Sequence, residues 1–162
     1  MLLDIGAGDR PFNDGREWTH HDARPLDDIE IVCAAEDLHK HVPEGSCEEI
    51  LARHILEHFS HLETQNVLAG WLRLLKPGGV LKVEVPNLGW QVRQYAALLE
   101  TGQGSHTEAE LVELMFGGQE YPGNAHLTGF TEETLRRHLT LAGFKGAGTM
   151  DIGMVIIASG ER

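Results

Sequence analysis

The chain has 162 residues, enough for a single domain with one continuous core. Its 13 Lys and Arg against 25 Asp and Glu give a formal charge of −12, and no basic run extends beyond Arg136-Arg137. That argues against a long nucleic-acid footprint, which needs many phosphate contacts. No segment has the length and apolarity of a membrane span or the pattern of a signal peptide, so a cytoplasmic protein away from membranes is expected.

Met1-Leu2-Leu3 reads as a strand that runs into the glycine turn Asp4-Ile5-Gly6-Ala7-Gly8. Glycine there lets a ligand approach the backbone, because it has no Cβ and tolerates positive φ. The following stretch, Asp9 to Arg16, is rich in turn formers and lacks helical periodicity, and Arg10 stands where a third dinucleotide-binding glycine would be. Glu17 to His21 already look like the second strand, which leaves too little chain for a full crossover helix. Without that helix there is no N-terminal dipole to hold a pyrophosphate, so the turn suits a nucleoside ligand without phosphate.

Ile29 to Cys33 reads as a third strand and Glu49 to Arg53 as a fourth. Ser60 and Glu63 have capping-box spacing before a helix with Val67, Leu68, Trp71, Leu72 and Leu75 on one face. Lys76-Pro77-Gly78-Gly79 stops that helix and turns the chain into a fifth strand, Val80 to Val85. Residues 88 to 126 contain two helix-like runs with Trp90 and Tyr95 and are the expected substrate region. Thr131 then opens a final helix with Leu135, Leu139 and Ala142 buried and Gly143 as its stop. Met150 to Ile152 and Met154 to Ala158 can form a closing hairpin. Strands alternating with helices predict one mostly parallel α/β domain over residues 1–162.

Cys33 and Cys47 show no metal-ligand spacing, and Cys33 lies in an apolar run where a buried, reduced thiol is expected. His20-His21 and His39-Lys40-His41 have no cysteine or paired acid at ligand spacing, so no metal is expected there. Trp71 reads as core, and Arg136-Arg137 as a solvated helix face.

The glycine turn, Asp22, the run His54-Ile55-Leu56-Glu57-His58-Phe59, and Leu74-Leu75-Lys76-Pro77-Gly78-Gly79 with Val85-Pro86-Asn87 together resemble class I S-adenosylmethionine-dependent methyltransferases. Phe116-Gly117-Gly118-Gln119, His126, Gly129-Phe130 and Ala142-Gly143-Phe144 further resemble a bacterial subgroup of small predicted members. The resemblance implies a Rossmann-like fold with a seven-stranded, mostly parallel sheet, an antiparallel last strand and a short or absent first crossover helix. It also implies S-adenosyl-L-methionine as cofactor.

Carried onto this chain, the resemblance puts the Gly6, Ala7 and Gly8 backbone near the methionine part of the cofactor, with Asp4 near its ammonium. Asp22 would accept hydrogen bonds from both ribose hydroxyls. Relatives often meet adenine with an aspartate after the third strand, whereas this chain has Ala34-Ala35-Glu36-Asp37. Glu36 or Asp37 could substitute, or Ala35 and the backbone could hold the base through apolar contact. Glu48 stands where relatives usually carry aspartate before the fourth strand. His54 ends that strand, where open α/β sheets bind ligands.

Methyl transfer from a sulfonium asks mainly for alignment and desolvation, but an oxygen or nitrogen acceptor must also lose a proton. His126, in the segment Tyr121 to His126 that should fold over the strand ends, is the first candidate base, with a structural loop role as its alternative. His54 is the second. The expected activity is methyl transfer to a small-molecule acceptor, with a sugar or metabolite suggested by analogy. A non-catalytic cofactor- or partner-binding protein is the alternative, and a nicotinamide oxidoreductase a more distant one.

Overall fold

Leu3 and Ile5 alternate with Asp4 along the first strand, β1 (Leu2–Ile5), and this alternation sets the two faces of the sheet. The computed structural model describes residues 1–162. The remaining strands are β2 (Trp18–Asp22), β3 (Ile31–Val32), β4 (Cys47–Arg53), β5 (Leu75–Pro86), β6 (Lys145–Asp151) and β7 (Val155–Glu161). They form one seven-stranded sheet in the order β3-β2-β1-β4-β5-β7-β6. The first five are parallel, and β7 runs antiparallel to both β5 and β6. The strand order reverses between β1 and β4, and that reversal opens the crevice in which such sheets bind ligands.

Helix α1 (Thr64–Leu74) buries Val67, Leu68, Trp71 and Leu74, and α4 (Glu132–Ala142) buries Leu135 and Leu139. These side chains join Leu3, Ile5, Ile50, Leu81, Val83, Val85 and Ile156 in one core, each contributing about 1.5–3 kcal/mol by burial. Trp71 is core as its periodicity implies, and its indole N–H donates to the Ala35 carbonyl at 3.2 Å. Helices α2 (Leu88–Thr101) and α3 (Glu108–Phe116) pack on each other, tied by Gln91 donating to the Leu114 carbonyl at 2.9 Å.

The opposite face carries the charged side chains of the strands, with Trp18 and Leu51 buried among them. Glu49 on β4 receives Lys82 of β5 at 2.6 Å and Arg16 at 2.9 Å. Arg16 belongs to the connection from β1 to β2, which contains no helix. Asx turns at Asn13 and Asp14 fold this connection. Phe12 and Trp18 meet edge to face at 5.2 Å, with the Arg53 and Arg16 guanidinium groups over their rings.

Three boundaries differ from the sequence reading. The third strand shrinks to two residues, because the Glu30 side chain takes the His20 amide at 2.7 Å that strand pairing would otherwise use. Leu75 and the Lys76-Pro77-Gly78-Gly79 run lie inside β5 as an irregularity, shifting its register against β4 between Cys47 and Glu49. The closing hairpin is longer than expected and turns at Gly153, where φ is +95° and the Asp151 carboxylate accepts the amide at 2.8 Å. The caps agree with the sequence reading. Ser60 and Glu63 exchange their capping bonds just before α1, and Thr131 and Gly143 bound α4. Cys33 is only partly buried, whereas Cys47 is fully so.

Candidate active site

The C-terminal ends of β1, β2 and β4 border a cavity of about 570 Å³. Its walls include Gly6, Ala7 and Gly8 from the glycine turn, Asp22, Ala35 and Glu36 from the β2 and β3 ends, and His54 and His126. Gly6 and Gly8 have φ of +69° and +64°, and this left-handed pair turns the chain out of the sheet. The turn is held from below by His21, which is fully buried. The Ala7 amide donates to the His21 carbonyl at 2.8 Å, and the Gly6 amide faces His21 Nδ1 at 3.4 Å.

His21 Nε2 lies 2.9 Å from the Cys33 carbonyl, which can only accept, so Nε2 carries the proton and Nδ1 is free to accept. Burial pushes the His21 pKa below the usual histidine value, against the pull of the Cys33 carbonyl. The unfolded chain therefore binds this proton more readily than the folded one. Stability from His21 is full above about pH 6.5 and is lost as the pH falls toward the lower folded value. Melting curves from pH 7.5 to about pH 5 should show that loss, and a His21→Asn variant should be less stable at neutral pH with a shallower acid slope. An unchanged acid slope in the variant would remove His21 as its source.

Asp22 is almost fully buried at the end of β2. Its Oδ2 accepts the Gly8 amide at 3.0 Å, and its Oδ1 accepts the Arg24 amide at 2.9 Å and Arg24 Nε at 3.0 Å. Burial alone would raise its pKa. The hydrogen bonds from the Arg24 side chain, the Arg24 amide and the Gly8 amide outweigh it and keep the carboxyl below its usual range. The Arg24 guanidinium also stacks over Tyr121 at 4.5 Å, linking the Asp22 end to the segment that covers the cavity. The sequence reading missed Arg24 and Tyr121 as partners of this site.

Asp4 does not line the cavity. Strand alternation turns it away from Leu3 and Ile5, and its Oδ2 accepts the Phe12 amide at 2.8 Å and lies 3.1 Å from His20 Nδ1. It anchors the helix-free connection. Of the two acids that follow Ala35, Glu36 lines the cavity, while Asp37 pairs with Lys40 at 2.7 Å on the outside. Glu48 is exposed and pairs with Lys76 at 2.8 Å.

The other end of the cavity holds three histidines around a buried carboxylate. Glu57 sits in the turn Leu56–His58 after β4, and its side chain is 2% exposed. The Glu57 carbonyl accepts the Leu127 amide at 2.8 Å and the Thr128 amide at 3.1 Å, and the Ala125 carbonyl lies 3.1 Å from His58 Nδ1. These bonds lay residues 121–128 over the strand ends and bring His126 Nε2 to 4.0 Å from Glu57 Oε1. His54, in the left-handed region at φ +50°, places Nδ1 at 3.5 Å from the same oxygen. Contact with Glu57 raises the His54 pKa, whereas burial lowers that of His126 despite the same charge.

His126 also borders a second hollow of about 350 Å³, lined by His106, Glu110, Glu113, Gly117 and Met154 among others. It is the one residue common to both cavities. Trp90 and Tyr95 line neither, since Trp90 packs against His106 and Tyr95 donates to Glu108 at 2.8 Å.

An open α/β sheet with a glycine turn after β1, an acid ending β2 and a crevice at the strand reversal defines a nucleoside-binding fold. A family profile described as "Methyltransferase domain" matches residues 1–147, and the chain belongs to that family. No curated protein matches the sequence. Among solved structures, a SAM-dependent methyltransferase from Archaeoglobus fulgidus superposes with a TM-score of 0.68 at 14% identity, over 99% of this chain and 85% of that one. A methyltransferase from Thermotoga maritima, named as a possible histamine N-methyltransferase, gives 0.66 at 17% identity, over 99% and 81%. The 1,6-didemethyltoxoflavin-N1-methyltransferase of Burkholderia thailandensis, solved with bound 1,6-didemethyltoxoflavin and S-adenosylhomocysteine, gives 0.63 at 16% identity, over 99% and 70%. The sheet, with its antiparallel β5-β7-β6 edge, is the class I methyltransferase fold. No helix is long and apolar enough to cross a membrane.

Proposed function

We propose that this protein transfers a methyl group from S-adenosyl-L-methionine to a small-molecule acceptor. The observation that carries the reading is His126, which stands where the cofactor-sized cavity meets the second hollow. The residues fit the cofactor. The left-handed Gly6 and Gly8 keep the turn free of side chains, and a Cβ on Gly8 would meet only Arg24 at 3.8 Å. Asp22 offers an ionised, two-oxygen acceptor of the kind a ribose diol requires, once Arg24 yields its place. Ala35 and Glu36 border the end assigned to adenine. Asp4 serves the ammonium end indirectly, by fixing the connection that follows the turn.

S-adenosylmethionine supplies a methyl group already activated by its sulfonium. The side chains here have to exclude water, orient the acceptor and dispose of its proton. His54 and His126 place imidazole nitrogens 3.5 and 4.0 Å from Glu57 Oε1 at that end of the cavity. The acceptor would enter through the hollow bounded by α3, within the 88–126 substrate region. Two structural neighbours named for small acceptors support the substrate class.

Calorimetric titration with S-adenosylhomocysteine tests the cofactor assignment. Binding in the micromolar range is expected, and ligand at 100 times its dissociation constant should add about 2.7 kcal/mol to stability. Asp22→Ala should lose about 1.5–3 kcal/mol of binding, the contribution of hydrogen bonds to a charged group. Unchanged melting of the parent at millimolar cofactor would sink the assignment. A folded Asp22→Ala that binds like the parent would remove Asp22 from the ribose contact.

A further inference from the structure

We propose that Glu57, His58 and His126 form a binding site for a divalent transition-metal cation at the acceptor end of the cavity. The donor atoms of these three residues all lie within 4.8 Å of one another. Glu57 supplies an independent observation. The residue is 1% exposed, and neither of its carboxylate oxygens has a hydrogen-bond partner, since His54 and His126 stand at 3.5 and 4.0 Å. A carboxylate taken out of water without hydrogen bonds is costly, and a bound cation is one of the arrangements that compensates it.

The His58 imidazole is set up from behind. His58 has its Nδ1 occupied by the Ala125 carbonyl at 3.1 Å, which leaves Nε2 free for a cation. His126 Nε2 lies 4.0 Å from Glu57 Oε1. A ring N–H given to a backbone carbonyl is the usual way a metal-binding histidine is oriented and its tautomer fixed. The two rings meet at 63° with centroids 5.1 Å apart, so they cross rather than stack.

Two imidazoles and one carboxylate are the donor set of open zinc sites and of related manganese, iron and cobalt sites. Calcium and magnesium prefer oxygen donors throughout. Tetrahedral zinc brings its ligand atoms to about 3.3 Å of one another. The donor atoms, now as much as 4.8 Å apart, must therefore close by up to about 1.5 Å on binding. Three protein ligands leave a coordination position for solvent or an acceptor oxygen, and Glu57, His58 and His126 all border the larger cavity. This site was not visible at the histidine pairs that sequence spacing singles out. Glu57 and His58 are adjacent, but His126 reaches them only through the folded-back segment.

The test is metal binding by the full chain after treatment with a chelator, read by calorimetry with Co²⁺, Mn²⁺ and Zn²⁺ and by the rise in Tm. A single equivalent should bind the parent. Losing an outer-shell partner costs metal sites about 10–100-fold in affinity, so His58→Ala and His126→Ala should each exceed that loss. Glu57→Gln, which keeps the side-chain volume, should weaken binding in the same way. A His39→Ala, His41→Ala double variant, altered only at exposed histidines, should bind like the parent. Circular dichroism establishes that each variant is folded. The proposal is overturned if the parent takes up none of the three ions, or if uptake survives both His58→Ala and His126→Ala. Titrating S-adenosylhomocysteine into the chelator-treated protein keeps the cofactor reading separate, because that binding requires no metal.

Discussion

Gly6→Ala is expected to lower stability by about 2–5 kcal/mol and to abolish cofactor binding at ordinary concentrations. Two effects add at this position. The backbone is left-handed at φ +69°, which costs a non-glycine residue about 1–2 kcal/mol. A Cβ built there would also stand 2.6 Å from Ile55 Cδ1 and 3.1 Å from Ile55 Cβ. The second atom belongs to the root of the side chain and cannot swing aside, so overpacking adds about 1–3 kcal/mol. Gly8→Ala shares the strain at φ +64° but meets only an Arg24 nitrogen at 3.8 Å, and should lose about 1–2 kcal/mol. For a chain of this size the Gly6 effect corresponds to roughly 4–20 °C in Tm. Equal melting of the two variants would mean that Ile55 yields and the turn is less tightly packed than the distances imply.

His126→Ala should leave S-adenosylhomocysteine binding within a few-fold of the parent and reduce turnover by about 10²–10⁴-fold on an oxygen acceptor. The glycine turn, Asp22 and Glu36 are untouched by the change, so the contacts proposed for the cofactor are kept. His126 Nε2 can take the acceptor's proton or hold a cation that acidifies the acceptor, and alanine removes the nitrogen that both tasks need. The measurement requires an acceptor, found by screening sugars, amines and small phenols for product with the parent protein. Undiminished turnover would return His126 to the role of a loop anchor, bonded through its amide to the Phe116 carbonyl at 2.9 Å. His54→Ala makes the useful comparison. Its ring borders the first cavity alone, so cofactor affinity and rate should fall together.

The parts of the molecule legible in the sequence are those governed by local chemistry. Apolar periodicity marks α1 and α4, and the Thr131 cap and the Gly143 stop at φ +103° bound the last helix where expected. The missing crossover helix follows from the composition of residues 9–16 and the short distance to β2. What escaped depends on contacts between distant residues. The length of β3 is decided by a Glu30 side chain competing for a strand amide, and propensity carries no trace of such competition. The turn over Asp4 requires knowing that Phe12 lies on the polar face. Arg24 was within reach of sequence reasoning, since it lies two residues after the acid it pairs with. Glu57 lies inside a recognised run, but its meaning arises only when residues 125–128 bond to its backbone and bring His126 to its side chain.

The ion-paired side of the sheet gives the strands an unequal tolerance of sequence change. Parallel strands are ordinarily enclosed on both sides and conserve apolar character at every position. Here Leu81, Val83 and Val85 are enclosed, while the intervening Lys82 and Glu84 meet solvent or other charges. Positions 82 and 84 can therefore drift among polar residues at about 0–1 kcal/mol per lost surface pair, whereas positions 50, 81 and 83 cannot. A protein engineer could recode that side for solubility, surface charge or attachment to a support and leave the cavity at the strand ends unaltered.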